Sequence, residues 1–260
     1  MIESPRGFTS SAGRSRRLQE CLSTRTHRHG SLGGKNLFCA NCDSPRLTTL
    51  PHNTAAFDFR CPQCTAPFQL KSQSKPFGSK ILDAAYSEMR RAILEDHTPN
   101  LLVLHYDLES WSIRNLLLIP RFAFSLAAVE KRKPLALTAR RAGWVGCNIL
   151  LDKIPLDARI PIIRDAKFLS PKSVREAYLR IRPLANLSVK KRGWTLDVLN
   201  AIHSLKKKEF SLTEAYSLEP ELSKLHPANH NVRPKIRQQL QVLRDLDLLH
   251  FLGNGRYRLS

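Results

Sequence analysis

CANCDSPRLTTLPHNTAAFDFRCPQCTAPFQLK, residues 39–71, is the stretch on which the fold turns. Cys39 and Cys42 form one CxxC and Cys61 and Cys64 a second, with eighteen residues between the pairs. That spacing suits two knuckles presenting four thiolates to one tetrahedral zinc ion. Such a closed site leaves no position for substrate, so its metal is structural. Two disulfides or four unconnected thiols are the alternatives, and a reducing compartment weighs against the first. Within the same stretch, Ala56-Phe57-Asp58-Phe59 and Phe68-Gln69-Leu70-Lys71 alternate apolar and polar residues, the pattern of half-buried strands. The period of two turns Phe68 and Leu70 to one face and leaves Gln69 and Lys71 together on the other. If the strands pair, the Asp58 carboxylate, the Gln69 amide oxygen and the Lys71 ammonium converge. That set suits metal-assisted phosphodiester hydrolysis, the metal activating a water and the lysine balancing charge. A half-exposed cross-strand ion pair between Asp58 and Lys71 is the plainer alternative.

Downstream, Ile81, Leu82, Ala85, Tyr86, Met89 and Ile93 recur at helical spacing behind Ser79, a plausible N-cap. Asp83 and Glu88 then fall on the solvated side of that helix. Leu101–Tyr106 and Leu116–Ile119 read as short buried strands, and Pro120 closes them. Strand, strand, helix, strand, strand is an α/β core pattern. In PLALTARRAGWVGC, residues 134–147, Arg140 and Arg141 precede Gly143-Trp144, and Gly146 follows at once. Glycines permit sharp turns or close approach, paired arginines suit phosphates or base edges, and the indole can offer an apolar face to a base or methyl group. A Trp packed beside a tight turn between two solvated arginines is the equal alternative. Cys147 reads as core.

The chain turns basic and irregular near Lys190-Lys191-Arg192, which marks a domain boundary. Thr195 is a good N-cap for a helix to about Leu205. Ser211-Leu212-Thr213-Glu214 opens a second helix, and a third runs from about Arg233 to Asp245, with Lys235, Arg237, Gln238, Gln241 and Arg244 on its polar side. Asn254-Gly255 then turns a hairpin. Three helices and a basic hairpin make a winged-helix plan. There the third helix enters the DNA major groove, while Arg256 and Arg258 of the wing grip phosphates. Winged helices also serve as protein-interaction modules.

Composition agrees with an anionic partner: 42 Lys and Arg oppose 22 Asp and Glu, a formal charge of +20. No apolar run is long enough to span a membrane and no secretory signal opens the chain, so a soluble cytoplasmic protein is expected. Residues 1–35 read as a basic, disordered arm, and Cys21 within it carries no assigned role.

Asp58, Gln69-Leu70-Lys71, the two CxxC pairs, ARRAGWVGCNI (139–149) and KIRQQLQVLRD (235–245) together resemble the DpnI-like, methyl-directed type II restriction endonucleases. The resemblance runs from about Phe38 to the C-terminus. It implies an α/β PD-(D/E)XK nuclease core with a four-cysteine zinc site at residues 36–182, a linker at 183–192 and a winged-helix domain at 193–260. It implies magnesium-dependent cleavage of double-stranded DNA at GATC sites bearing N6-methyladenine, by a protein expected to be monomeric in solution. By position, Asp58 and Gln69 hold the magnesium, Lys71 assists hydrolysis, and Cys39, Cys42, Cys61 and Cys64 hold the zinc. Trp144 meets the adenine methyl groups. Arg140, Arg141, Lys235, Arg237, Gln238, Gln241, Arg256 and Arg258 contact DNA. Two features depart from the family. Gln69 stands where the motif has Glu, bringing a carbonyl oxygen without charge, although some nucleases of this fold carry QxK. Residues 1–35 also lack the family's helical start, as a shifted frame or misassigned start would produce. A methyl-DNA reader with a decayed nuclease site, or a zinc-stabilised winged-helix regulator, are the readings from another functional class.

Overall fold

The computed structural model describes residues 37–51, 57–110 and 112–260. The arm expected at residues 1–35, and Ala56 of the first expected strand, lie outside them. In chain order the first unit contains β1 (Thr48–Thr49), β2 (Phe59–Arg60), β3 (Pro67–Gln73), β4 (Lys80–Ala85), α1 (Tyr86–Leu94), β5 (Asn100–Tyr106), β6 (Ile113–Ile119), β7 (Val129–Lys131), β8 (Gly146–Leu150), β9 (Ile160–Arg164), β10 (Lys167–Phe168) and α2 (Pro171–Ile181). Seven strands form one sheet in the order β1-β2-β3-β5-β6-β9-β10, and β4-β8-β7 form a second. Among the described strands of this unit, only β3 and β5 pair in parallel, and the other neighbouring pairs are antiparallel. A parallel pair needs a crossover, and β4 with α1 supplies it. β5 lies at the heart of the sheet and reads NLLVLHY, with both faces buried along nearly its whole length. A strand covered on two sides has no polar face to alternate.

Residues 80–85, expected as the first turns of a helix, instead form β4, and the helix starts at Tyr86 with Ala85 at its N-cap. Ile81, Ala85 and Met89 sit four apart, so periodicity alone cannot separate the two readings. Pairing decides: Lys80, Ile81 and Leu82 lie opposite Leu150, Ile149 and Asn148 of β8, and Ala85 opposite Gly146. The expected strand around Asp58 is likewise shorter, with Asp58 just ahead of β2. Helix α2 has no counterpart in the sequence reading. Its start is nevertheless a cap signature, since the Ser170 side chain accepts from the Ser173 amide and Pro171 occupies the first turn.

The second unit comprises α3 (Val189–Ser204), β11 (Glu209–Ser211), α4 (Leu212–Tyr216), α5 (Glu219–Leu225), α6 (Val232–Asp245), β12 (Leu249–Gly253) and β13 (Arg256–Leu259), with sheet order β11-β13-β12. Ser211 and Glu214 close a reciprocal capping box at α4. Asn254 and Gly255 take φ of 47° and 69°, the left-handed pair of a tight hairpin turn. Residues 183–192, expected as a linker, are a 3-10 turn over Arg182–Asn186 followed by the first turn of α3. Thr195 is therefore mid-helix. It is fully buried, and its hydroxyl shares its one proton between the Lys191 carbonyl at 2.9 Å and Gln239 Oε1 at 2.7 Å. The junction is ionic: buried Arg192 pairs with Asp96 of the first unit at 2.5 Å, and Asp197 accepts from Ser125 at 2.7 Å. No helix among the described residues is long and apolar enough to cross a membrane.

Candidate active site and nucleic-acid interface

The cysteine spacing closes as expected. All four sulfurs lie within 4.8 Å of one another, with Cys39 to Cys64 at 3.6 Å and Cys42 to Cys61 at 3.5 Å. A tetrahedral zinc with Zn–S bonds near 2.3 Å sets its sulfurs about 3.8 Å apart, so the set fits zinc. These separations are far beyond a disulfide, and all four are free thiols. Burial opposes ionisation of Cys61, but backbone hydrogen bonds from Cys64 and Gln63 outweigh it and lower the thiol to about 6. Cys39 is pushed above the usual thiol range, chiefly by burial. From α2, Arg175 reaches the knuckle: its Nε donates to the carbonyls of Cys39 (3.0 Å) and Cys42 (2.9 Å), and its second guanidinium arm to that of Ser44 (3.0 Å). The same guanidinium lies over the Phe38 ring.

Beyond the second knuckle, β2 and β3 pair with Phe59 opposite Phe68. Phe68 and Leu70 are buried, while Gln69 and Lys71 stand half-buried on the other face of β3. Asp58 extends this ladder past the end of β2. Its amide donates to the Phe68 carbonyl at 2.9 Å, and its side-chain Oδ2 accepts from the Leu70 amide at 2.7 Å. The carboxylate thus stands in for the next rung and is held beside the strand that carries Gln69 and Lys71. The cross-strand ion pair between Asp58 and Lys71 is not formed. Lys71 Nζ instead lies 2.7 Å from Asp83 Oδ1, whose side chain is 2% exposed. Asp83, expected on a solvated helix face, is a half-buried residue of β4 whose side chain is turned inward, and its Oδ1 has no aligned hydrogen-bond donor among the described residues.

Residues 140–143 form an exposed turn, and half-buried Trp144 and Val145 lead from it into β8 at the buried Gly146. Gly143 takes φ of +76°. Gly146 is a close-approach position: a Cβ there would stand 2.7 Å from the Trp144 ring and 3.4 Å from the Arg132 guanidinium. The bare backbone thus lets the edge of the six-membered indole ring approach the strand, half-exposed, with the Arg141 guanidinium 4.8 Å from the ring. Arg140 is exposed beside it. Arg132 was not singled out by the sequence, because its proximity to Trp144 arises only from the pairing of β7 with β8.

In the second unit, Arg237, Gln238 and Gln241 are exposed on α6, and Ile236, Leu240 and Leu243 are buried beneath them. Lys235 lies 5.8 Å from the Trp194 ring centroid and donates to Gln238 at 2.6 Å. Partial burial, and then repulsion from Lys190 and Lys191, hold its ammonium below the usual lysine range. These two lysines, which the sequence places in a linker, sit at the start of α3, beside the α6 surface. Arg256 and Arg258, expected free for phosphate, both pair with Glu209 of β11 at 3.2 Å and remain substantially exposed.

Residues 31–187 match the DpnI, or Dam-replacing, family, and residues 190–259 match the Dam-replacing HTH domain. The first match covers more than half of the chain and contains the cysteine cluster, Asp58, Gln69, Lys71 and Trp144; the second contains α6 and the wing. With both units matched in order, the chain belongs to the DpnI, or Dam-replacing, family of methyl-directed restriction nucleases with a C-terminal winged helix.

Proposed function

We propose that the protein cuts both strands of DNA at GATC sites carrying N6-methyladenine, as a monomer working in the reducing cytoplasm where four zinc-bound thiolates are stable. The observation that carries this reading is the bond from the Leu70 amide to Asp58 Oδ2, which holds a carboxylate beside the strand bearing Gln69 and Lys71. The donor set fits magnesium, a hard cation that takes oxygen ligands: Asp58 retains a second carboxylate oxygen and Gln69 offers its amide oxygen. When bound, magnesium supplies Lewis-acid neutralisation of the phosphate. Asp58 and Gln69 hold it, and Lys71 orients the attacking water and offsets charge developing on the phosphate. Zinc at Cys39, Cys42, Cys61 and Cys64 fixes the turn that enters β3.

Specificity is divided. Trp144 offers its half-exposed indole to the adenine methyl groups, with Arg140 and Arg141 on phosphate or base edges. On α6, Arg237, Gln238 and Gln241 face the major groove, with Lys235 beside them. Arg256 and Arg258 exchange Glu209 for phosphate on binding.

The test uses adenine-methylated and unmethylated plasmid with magnesium. Cutting is expected only of the methylated plasmid, and Asp58→Ala should cut neither. Binding without cutting, with hydrolysis appearing in Gln69→Glu, would replace the enzyme with a reader that has lost its chemistry.

A further inference from the structure

Lys71, the lysine of the proposed site, has a buried anionic partner on another sheet. Asp83 Oδ1 lies 2.7 Å from its Nζ, and the Asp83 side chain is 2% exposed against 26% for Lys71. Withdrawing an ionised carboxylate from water costs several kcal/mol unless charge and hydrogen bonds compensate. Oδ1 has no aligned donor among the described residues, so the ammonium compensates it by charge rather than by a directed bond. The fold places this carboxylate deliberately. Asp83 and Ala84 fall in the irregularity of β4 between Leu82 and Ala85, and such bulges re-aim a side chain. Cys147 Sγ donates to the Ala84 carbonyl at 3.3 Å. That thiol stays protonated, pushed up to about 12 first by burial and then by the Asp83 charge.

The charges on this face make the consequence concrete. Asp58 and Lys71 cancel, and Gln69 contributes nothing, so without Asp83 a divalent cation would meet a neutral set. With Asp83 the set carries one net negative charge. We propose that Asp83 is a positioning residue of the metal site, holding the Lys71 ammonium in place and supplying the negative charge that Gln69 lacks. This rests on the nuclease reading above, and it assigns a function to a carboxylate whose buried Oδ1 is compensated only by the Lys71 charge.

The test compares wild type, Asp83→Asn and Gln69→Glu/Asp83→Asn in the full-length protein with zinc bound. It measures Mn2+ affinity by calorimetry, turnover of methylated DNA, and the melting temperature. Asp83→Asn should weaken Mn2+ binding about 10- to 100-fold and lower kcat about 100-fold. Affinity for methylated DNA without added divalent cation should stay unchanged. Gln69→Glu/Asp83→Asn should regain Mn2+ affinity and part of the turnover, because the lost charge returns to the same face. Wild-type Mn2+ affinity and turnover in Asp83→Asn overturn the proposal, as does failure of Gln69→Glu to restore either in a variant that melts like wild type. Should Asp83→Asn melt early, Lys71→Met/Asp83→Asn removes both charges, and Mn2+ affinity equal to that of Lys71→Met alone overturns the proposal. Mn2+ binding that depends on Asp83 in a protein that cuts no DNA would retire the nuclease reading while leaving Asp83 its place at the metal.

Discussion

The cysteine cluster and the Asp58–Lys71 face lie in one stretch of chain, yet they are built in opposite ways. The cluster takes all four sulfurs from residues 39–64 and is complete within them. The catalytic face takes Asp58, Gln69 and Lys71 from the same stretch, but the partner of Lys71 comes from β4, on a different sheet. A closed local site can be rigid on its own. A site shared between two sheets depends on how those sheets are packed.

The sharpest break in the comparison is to remove a sulfur. Cys61→Ser should cost about 5 kcal/mol or more, because structural zinc binding is itself folding free energy. In a thermal melt the midpoint should fall by about 10 °C or more, and cutting should disappear with the fold. Next comes Arg175→Ala, which removes three hydrogen bonds, from two guanidinium nitrogens, to the knuckle carbonyls but leaves every sulfur in place. A loss of about 2–3 kcal/mol is expected by denaturant titration, with zinc stoichiometry unchanged. Smaller still is Trp144→Ala, which should leave the melting temperature near wild type. The ratio of cutting rates on methylated and unmethylated DNA should narrow about 10-fold, and an unchanged ratio would remove the indole from the methyl contact. The smallest effect belongs to the wing. Arg258→Ala should leave stability within about 0.5 kcal/mol and reduce the salt dependence of DNA binding by about one unit of slope.

What could be read from the sequence follows the same division. The CxxC pairs, the alternation of Phe68-Gln69-Leu70-Lys71, the capping box at Ser211 and the Asn254-Gly255 turn are local signals, and each stands where the sequence places it. Asp83 falls on a helix in the sequence pattern and on a strand in the structure, because the spacing from Ile81 to Ile93 fits a helix as well as a strand followed by a helix. Pairing with β8, some sixty residues later, is what decides between them. The Arg175 clamp and the Glu209 anchor of the wing arginines are also long-range contacts, without a signature in sequence spacing. Thr195 shows the reverse error. Its residue type favours a cap, whereas its hydroxyl is buried inside α3 against Gln239.

Whether the catalytic face works with glutamine in its motif is best decided by Asp58→Asn. The amide oxygen of asparagine can still accept from the Leu70 amide, so the β3 ladder is kept while the charge is removed. On an adenine-methylated GATC duplex with magnesium, the wild type should cut both strands, and Asp58→Asn should melt at the wild-type temperature, bind the duplex and cut neither strand. Equal cutting by the two proteins would contradict the account.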